Sequence, residues 1–132
     1  MKKYLVIGDP IEHSLSPKLH NYWFKTHNIN AIYEKKKVSK AEIKNLISSI
    51  RDKELSGINV TVPYKKDVIS YLDRLSPEAK ETQSVNTIFL KDDMVFGHNT
   101  DISGFKHSIS HAQINLKNKK VFILGAGGVV SS

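Results

Sequence analysis

Three short polar clusters follow apolar runs in this chain: Asn59-Val60-Thr61-Val62-Pro63-Tyr64-Lys65, Ser84-Val85-Asn86-Thr87 and Asn99-Thr100-Asp101. Brought together at strand ends, an amide, a hydroxyl, a lysine and a carboxylate can hold a small polyhydroxylated molecule and move a proton on it. Lys65 is the sharpest of these residues. With Lys66 it is expected in the first turn of a helix opened by Pro63, where the positive end of the helix dipole disfavours cations. Asp67 is a local counter-charge, and extension of both lysines into water is the plain alternative. Asp101 reads as the N-cap of the next helix, a role compatible with chemistry because one carboxylate has several acceptor sites. If Asp101 also meets Lys65, it holds the ammonium in place. A protonated lysine is a general acid, suited to giving a proton to a carbonyl oxygen as hydride arrives on its carbon.

Other residues carry binding chemistry. Ser14 and Ser16 flank Leu15 at an expected helix N-terminus, where two hydroxyls and the dipole suit an anion such as a carboxylate. Capping alone also accounts for Ser16. Asn59 and Thr61 alternate along one strand and so share a side, with Asn86 facing them from a neighbouring strand. Their amides and hydroxyl suit ring hydroxyls, ordinary strand-end polarity being the alternative. His107 and His111 have the i, i+4 spacing of a metal pair. No glutamate lies between them and no third ligand presents itself, so no metal is expected. His13, beside Ser14, is an alternative acid-base group whose only near carboxylate, Glu12, should point elsewhere. After the apolar run Val121-Phe122-Ile123-Leu124, Gly125 and Gly127 have the spacing of a turn whose backbone amides cradle a pyrophosphate. Val130 replaces the third glycine of that fingerprint, and the position that separates NAD from NADP lies beyond Ser132.

The elements that must position these residues alternate. Residues 4–8 read as a buried strand, and Ser16-Pro17 opens a helix with serine as N-cap and Leu19, Tyr22, Trp23 and His27 along it. A second strand covers 31–35. Ser39-Lys40-Ala41-Glu42 is a capping box before Ile43, Leu46, Ile47 and Ile50 at helical spacing. Residues 57–62 form the next strand, and the helix from Pro63 has Val68, Ile69 and Leu72 on its apolar face. Ser76-Pro77-Glu78 starts another helix. Strands at 85–90 and 94–97 about Asp92-Asp93 read as a hairpin. A helix from Asp101 to about residue 112 precedes a strand at 119–124. This order predicts an α/β fold: a mainly parallel sheet flanked by helices on both faces, followed by the first strand and glycine turn of a truncated Rossmann-like unit. The expected domain boundary lies near residue 101, dividing the chain into 1–101 and 102–132.

With 132 residues, 39% of them hydrophobic, the chain can bury one ordinary core. No apolar run approaches the ~20 residues of a membrane span. The apolar stretch 4–7 is too short for a signal-peptide core, so a cytoplasmic location is expected. The absence of cysteine removes disulfides, thiolate nucleophiles and thiolate metal sites. The net charge of +7 is diffuse and almost all lysine, with Arg51 and Arg74 the only arginines. Lys35-Lys36-Lys37 lacks interleaved aromatics, so the charge describes a solvated surface and not a nucleic-acid partner.

Ser14-Leu15-Ser16-Pro17, Asn59 to Lys65, Val85-Asn86-Thr87, Asn99-Thr100-Asp101 and Gly125-Ala126-Gly127-Gly128, in this order and spacing, closely resemble shikimate dehydrogenase throughout the 132 residues. The resemblance implies reduction of 3-dehydroshikimate to shikimate with NADPH, on the route to chorismate and the aromatic amino acids. It implies that Ser14 and Ser16 bind the substrate carboxylate, and that Asn59, Thr61, Asn86 and Asp101 surround the ring hydroxyls. Lys65 would be the catalytic acid-base residue, paired with Asp101. Gly125, Ala126, Gly127, Gly128 and Val129 would match the NADP phosphate loop. Gln83-Ser84 departs from the family's usual Gly-Ala, and Tyr64 from its His or Phe. A complete nucleotide domain needs on the order of 100 further residues. The expectation is therefore a substrate-domain fragment, inactive alone, of a monomeric or homodimeric enzyme. A quinate/shikimate dehydrogenase paralogue and a non-catalytic small-molecule-binding module remain open alternatives.

Overall fold

The computed structural model describes residues 1–125 and 130. Strand β1 (Lys2–Gly8), buried from Leu5 onward, lies between β2 (Ala31–Lys37) and β3 (Gly57–Val60) and is parallel to both. The sheet continues through β5 (Thr87–Lys91) and β6 (Met94–His98) to the two-residue β4 (Arg74–Leu75), in the order β2-β1-β3-β5-β6-β4. β4 is parallel to β6, whereas β3–β5 and β5–β6 are antiparallel. The sheet is thus mainly parallel, as expected, with three of its five described pairings parallel and the two antiparallel ones both made by β5 of the expected hairpin. A two-residue connection can only return the chain antiparallel, and Asp92 and Asp93 make that turn at φ 51° and 55°.

Alternation along β1 splits the core between two faces. Leu5 and Ile7 join Ile43, Leu46, Ile47 and Ile50, the buried stripe of α2 (Ile43–Arg51), in the larger cluster. Ser39 and Glu42 form the expected capping box, which opens a short 3-10 turn ahead of α2. On the other face Val6, Ile11 and Tyr33 pack with Tyr4 and Phe24, the last from α1 (Ser16–Thr26). Leu19, Tyr22 and Trp23 of α1 stay exposed. Among the described residues no helix is long and apolar enough to cross a membrane.

Gly8 sets the approach at the mouth of the sheet. A Cβ there would meet Thr61 Cγ2 at 2.6 Å and the Val62 carbonyl at 2.8 Å. Without one, the Asp9 N–H donates to the Val62 carbonyl at 3.0 Å, drawing the loop before α1 against the end of β3.

Several expected boundaries move. Leu15, not Ser16, is the N-cap of α1, and no side chain caps it. No α-helix follows Pro63. Residues 62–66 form turns because Tyr64 is drawn inward, its hydroxyl donating to the Val38 carbonyl at 2.8 Å, and only a 3-10 helix (Asp67–Tyr71) follows. Lys65 is therefore outside any helical first turn, and Asp67 pairs with Lys40. α3 (Pro77–Thr82) starts as expected, with Ser76 Oγ accepting from the Ala79 N–H at 3.2 Å. α4 (Asp101–His111) has Thr100 as N-cap, so Asp101 is its first residue and not its cap. The expected strand at 119–124 is absent: these residues have no regular structure, with Phe122 85% and Leu124 99% exposed. A strand needs a ladder partner for its backbone, and no described strand lies beside it.

Candidate functional site

The turn after β3 brings Lys65 against the start of α4. Lys65 Nζ donates to Asp101 Oδ2 at 2.5 Å, the side chains being 11% and 30% exposed. Val85 N–H donates to the Lys65 carbonyl at 2.9 Å and ties this turn to the strand that follows. Asp101 is available to Lys65 because another residue does its expected capping work. Asn99 Oδ1 accepts the Asp101 N–H at 2.8 Å and the Ile102 N–H at 3.4 Å. Asn99 is itself buried and donates to the Ser84 carbonyl at 3.1 Å. The Asp101 carboxylate also sits in the first turn of an eleven-residue helix, where the dipole favours negative charge.

From that pair a line of side-chain hydrogen bonds crosses the sheet ends. Asn86 Nδ2 donates to Asp101 Oδ1 at 2.8 Å, and the Thr87 hydroxyl donates to Asn86 Oδ1 at 3.0 Å. Asn59 Nδ2 donates to Thr87 Oγ1 and to the Asn86 carbonyl, both at 3.1 Å. The Tyr33 hydroxyl donates to Asn59 Oδ1 at 2.7 Å. The amide orientations are fixed, since a carboxylate and a backbone carbonyl can only accept. Thr100 adds its N–H, donated to Asn86 Oδ1 at 2.9 Å.

A cavity of about 260 Å³ has Ser14, Ser16, Thr61, His13 and Ile11 among its walls, while Lys65, Asn59, Asn86 and Asp101 do not line it. The two serines and Thr61 thus line one cavity. Glu12 turns back on its own loop, where backbone N–H groups of Glu12 and Ile11 hold its carboxyl below the usual range. It does not orient His13. His107 and His111 line an exposed hollow on α4, and among the described residues no three metal-ligating side chains gather. Of the glycine turn, Gly125 adopts φ 112°, while Ala126, Gly127, Gly128 and Val129 lie outside the described residues.

Sequence reasoning missed Tyr33 and Asn21 as parts of this arrangement, and gave Thr87 and Asn99, although inside its polar clusters, no role of their own. A signal existed for Tyr33, a lone aromatic in a strand beside β1 whose polar tip needs a partner when buried. Asn21 sits mid-helix and gave none.

Residues 6–88 match the family described as the shikimate dehydrogenase substrate binding domain. The shikimate dehydrogenase (NADP(+)) of Pelagibacter ubique (strain HTCC1062) is 58% identical over 131 residues, 99% of this chain and 49% of that protein. Among solved structures, shikimate dehydrogenase 1 of Peptoclostridium difficile superposes with a TM-score of 0.92 at 39% identity, covering 99% of this chain and 50% of that one. The shikimate 5-dehydrogenase of Thermus thermophilus in complex with shikimate gives 0.91 at 31% identity, with 99% and 50% covered. The chain spans about half the length of the curated relatives it matches.

Proposed function

The chain belongs to the shikimate dehydrogenase family through its substrate-binding domain, and on that premise we propose that it supplies the substrate half of an NADP-dependent enzyme reducing 3-dehydroshikimate to shikimate. The observation that carries this reading is the Lys65–Asp101 pair at 2.5 Å, with Asn86 bound to the second carboxylate oxygen. In it Ser14 and Ser16 receive the carboxylate, and Asn59, Thr61, Asn86 and Asp101 meet the ring hydroxyls. Lys65 spends one of its three donors on Asp101 and keeps two for a substrate oxygen, whereas Asp101 retains lone pairs for a hydroxyl. Both amide hydrogens of Asn59 are engaged by protein, so Asn59 acts toward the ring as an acceptor.

When bound, NADPH supplies hydride to the carbonyl carbon. Lys65 delivers the proton to the carbonyl oxygen and takes it back in the reverse direction, while Asp101 keeps its ammonium aimed. Gly125 fits a nucleotide turn, since its φ of 112° is open to glycine at little cost. The assignment of Ala126, Gly127, Gly128 and Val129 to the same loop rests on sequence. So do the division into a substrate domain at 1–101 and a connecting helix with the start of a nucleotide domain at 102–132, and a cytoplasmic setting.

Calorimetric titration of the chain with shikimate is expected to register binding. In the complete two-domain enzyme, Lys65→Ala is expected to lower kcat by ~10²-fold or more with KM largely kept. A chain that ignores shikimate, or a Lys65→Ala enzyme with most of its turnover, would defeat the proposal.

A further inference from the structure

Tyr33 stands at the far end of the line of hydrogen bonds from Lys65 and is held from three directions. Its ring is stacked on His20 of α1, with centroids 4.2 Å apart and planes 5° from parallel. Its backbone N–H donates to Asn21 Oδ1 at 2.9 Å, and Asn21 Nδ2 donates to its carbonyl at 2.8 Å. One side-chain amide of α1 thus reads both backbone groups of a single β2 residue and fixes the helix lengthwise against the strand. Ser16 begins that helix. Tyr33 itself is only 3% exposed. Its hydroxyl reaches over β1 to Asn59, which lies opposite Val6 in the parallel pairing.

The two ends of the site therefore have different carriers. The serines are carried by α1 and its entry loop, and the amides, Lys65 and Asp101 by β3, β5 and α4. Tyr33 touches both groups: its backbone is gripped by α1 and its hydroxyl grips Asn59. Burial pushes its phenol up to about 12, with the Ser16 hydroxyl acting in the opposite sense, so at neutral pH it keeps the proton it donates to Asn59.

We propose that Tyr33, anchored by Asn21, is a positioning residue that holds Asn59 in its acceptor-presenting orientation and spaces the Ser14/Ser16 end from the Lys65/Asp101 end. This rests on the functional reading above, because spacing matters only to a ligand that spans both ends. The cost of its loss falls on binding and not on the proton step, since Tyr33 does not contact Lys65 in the line of bonds.

The test uses Tyr33→Phe, which keeps the ring and its stack, and Asn21→Ala, which releases the helix grip. Each is expected to weaken shikimate binding about tenfold, the scale of one orienting hydrogen bond. In the complete enzyme KM should rise by a similar factor, with kcat within about twofold. Shikimate methyl ester, which lacks the anionic end, should lose much less affinity than shikimate. The Asn59 side-chain amide resonances should shift in Tyr33→Phe without any ligand. Unchanged Asn59 resonances, shikimate binding within twofold of the unaltered chain in both variants, or a fall in kcat with KM retained would each overturn the inference. If the unaltered chain binds no shikimate while the Asn59 resonances do shift in Tyr33→Phe, the strut stands and the substrate assignment falls. Should Tyr33→Phe fail to fold, Asn21→Ala decides by the same titrations.

Discussion

Replacing Asp101 by asparagine keeps the size and planarity of the side chain and removes its charge. Lys65 would then hold an ammonium in a site where only 11% of its side chain meets solvent. At the 2.5 Å separation, Coulomb's law with effective dielectrics of 20 to 80 gives an attraction of roughly 2–7 kcal/mol. Part of that offsets the desolvation of the two ions, and water reaches the partly exposed carboxylate. The net effect should follow measured hydrogen bonds to charged groups, about 1.5–3 kcal/mol. Loss of the first-turn carboxylate on α4 adds about 0.5 kcal/mol. The expected destabilisation is therefore about 2–3.5 kcal/mol, read by urea unfolding followed by far-UV circular dichroism with the slope unchanged. Asp101→Asn in a Lys65→Met background isolates the pair, because the lysine has no charge left to strand. There the cost should drop to about 1 kcal/mol or less, a coupling of about 1.5 kcal/mol. Equal costs in the two backgrounds would refute an energetically coupled pair and leave only a geometric neighbour.

Three further effects can be read from the fold. Gln83 ends α3 at φ 50°, a left-handed conformation, and the buried Ser84 hydroxyl has no hydrogen-bond partner among the described residues. Gln83→Gly and Ser84→Ala should each raise stability by about 1 kcal/mol in thermal or urea unfolding, and a loss from either would count against its local account. The phenol of Tyr33 rises from 10.0 to about 12 on folding. Its raised value means that its contribution is complete below pH 10 and is lost as pH climbs from 10 to about 12. Relative to Tyr33→Phe, the unaltered chain should therefore lose about 2 kcal/mol across that interval. A constant difference between the two urea midpoints from pH 9 to 12 would contradict it.

Much of this arrangement was legible where local chemistry and tertiary demand agree. Ile43, Leu46, Ile47 and Ile50 carry the helical period and are all buried, and Ser76 and the Ser39–Glu42 box cap what they should. Asn59, Lys65, Asn86 and Asp101 were visible because each follows an apolar run, and strand ends converge in an α/β sheet. The failures have a common origin in long-range partners. Pro63 offers a helix start locally, yet burial of Tyr64 against Val38 wins. Asp101 is an able cap, yet Asn99, two residues earlier, reaches the same N–H groups. Residues 119–124 have a strand's composition without a described neighbour to pair with. Tyr33 and Asn21 become meaningful only once α1 is laid against β2, a docking that no window of sequence encodes.

The carboxamide of Asn21 has one more effect, unrelated to any ligand. β2 is one of the two edge strands, and its free rim would otherwise be a template for a foreign strand. At Tyr33 the two rim groups are already occupied, and Lys35, Lys36 and Lys37 are solvent-exposed further along the strand. An incoming chain would meet a blocked rung and then three exposed lysines, of which Lys37 is paired with Asp9. The residue that seats a helix thus also closes one rung of an open sheet edge.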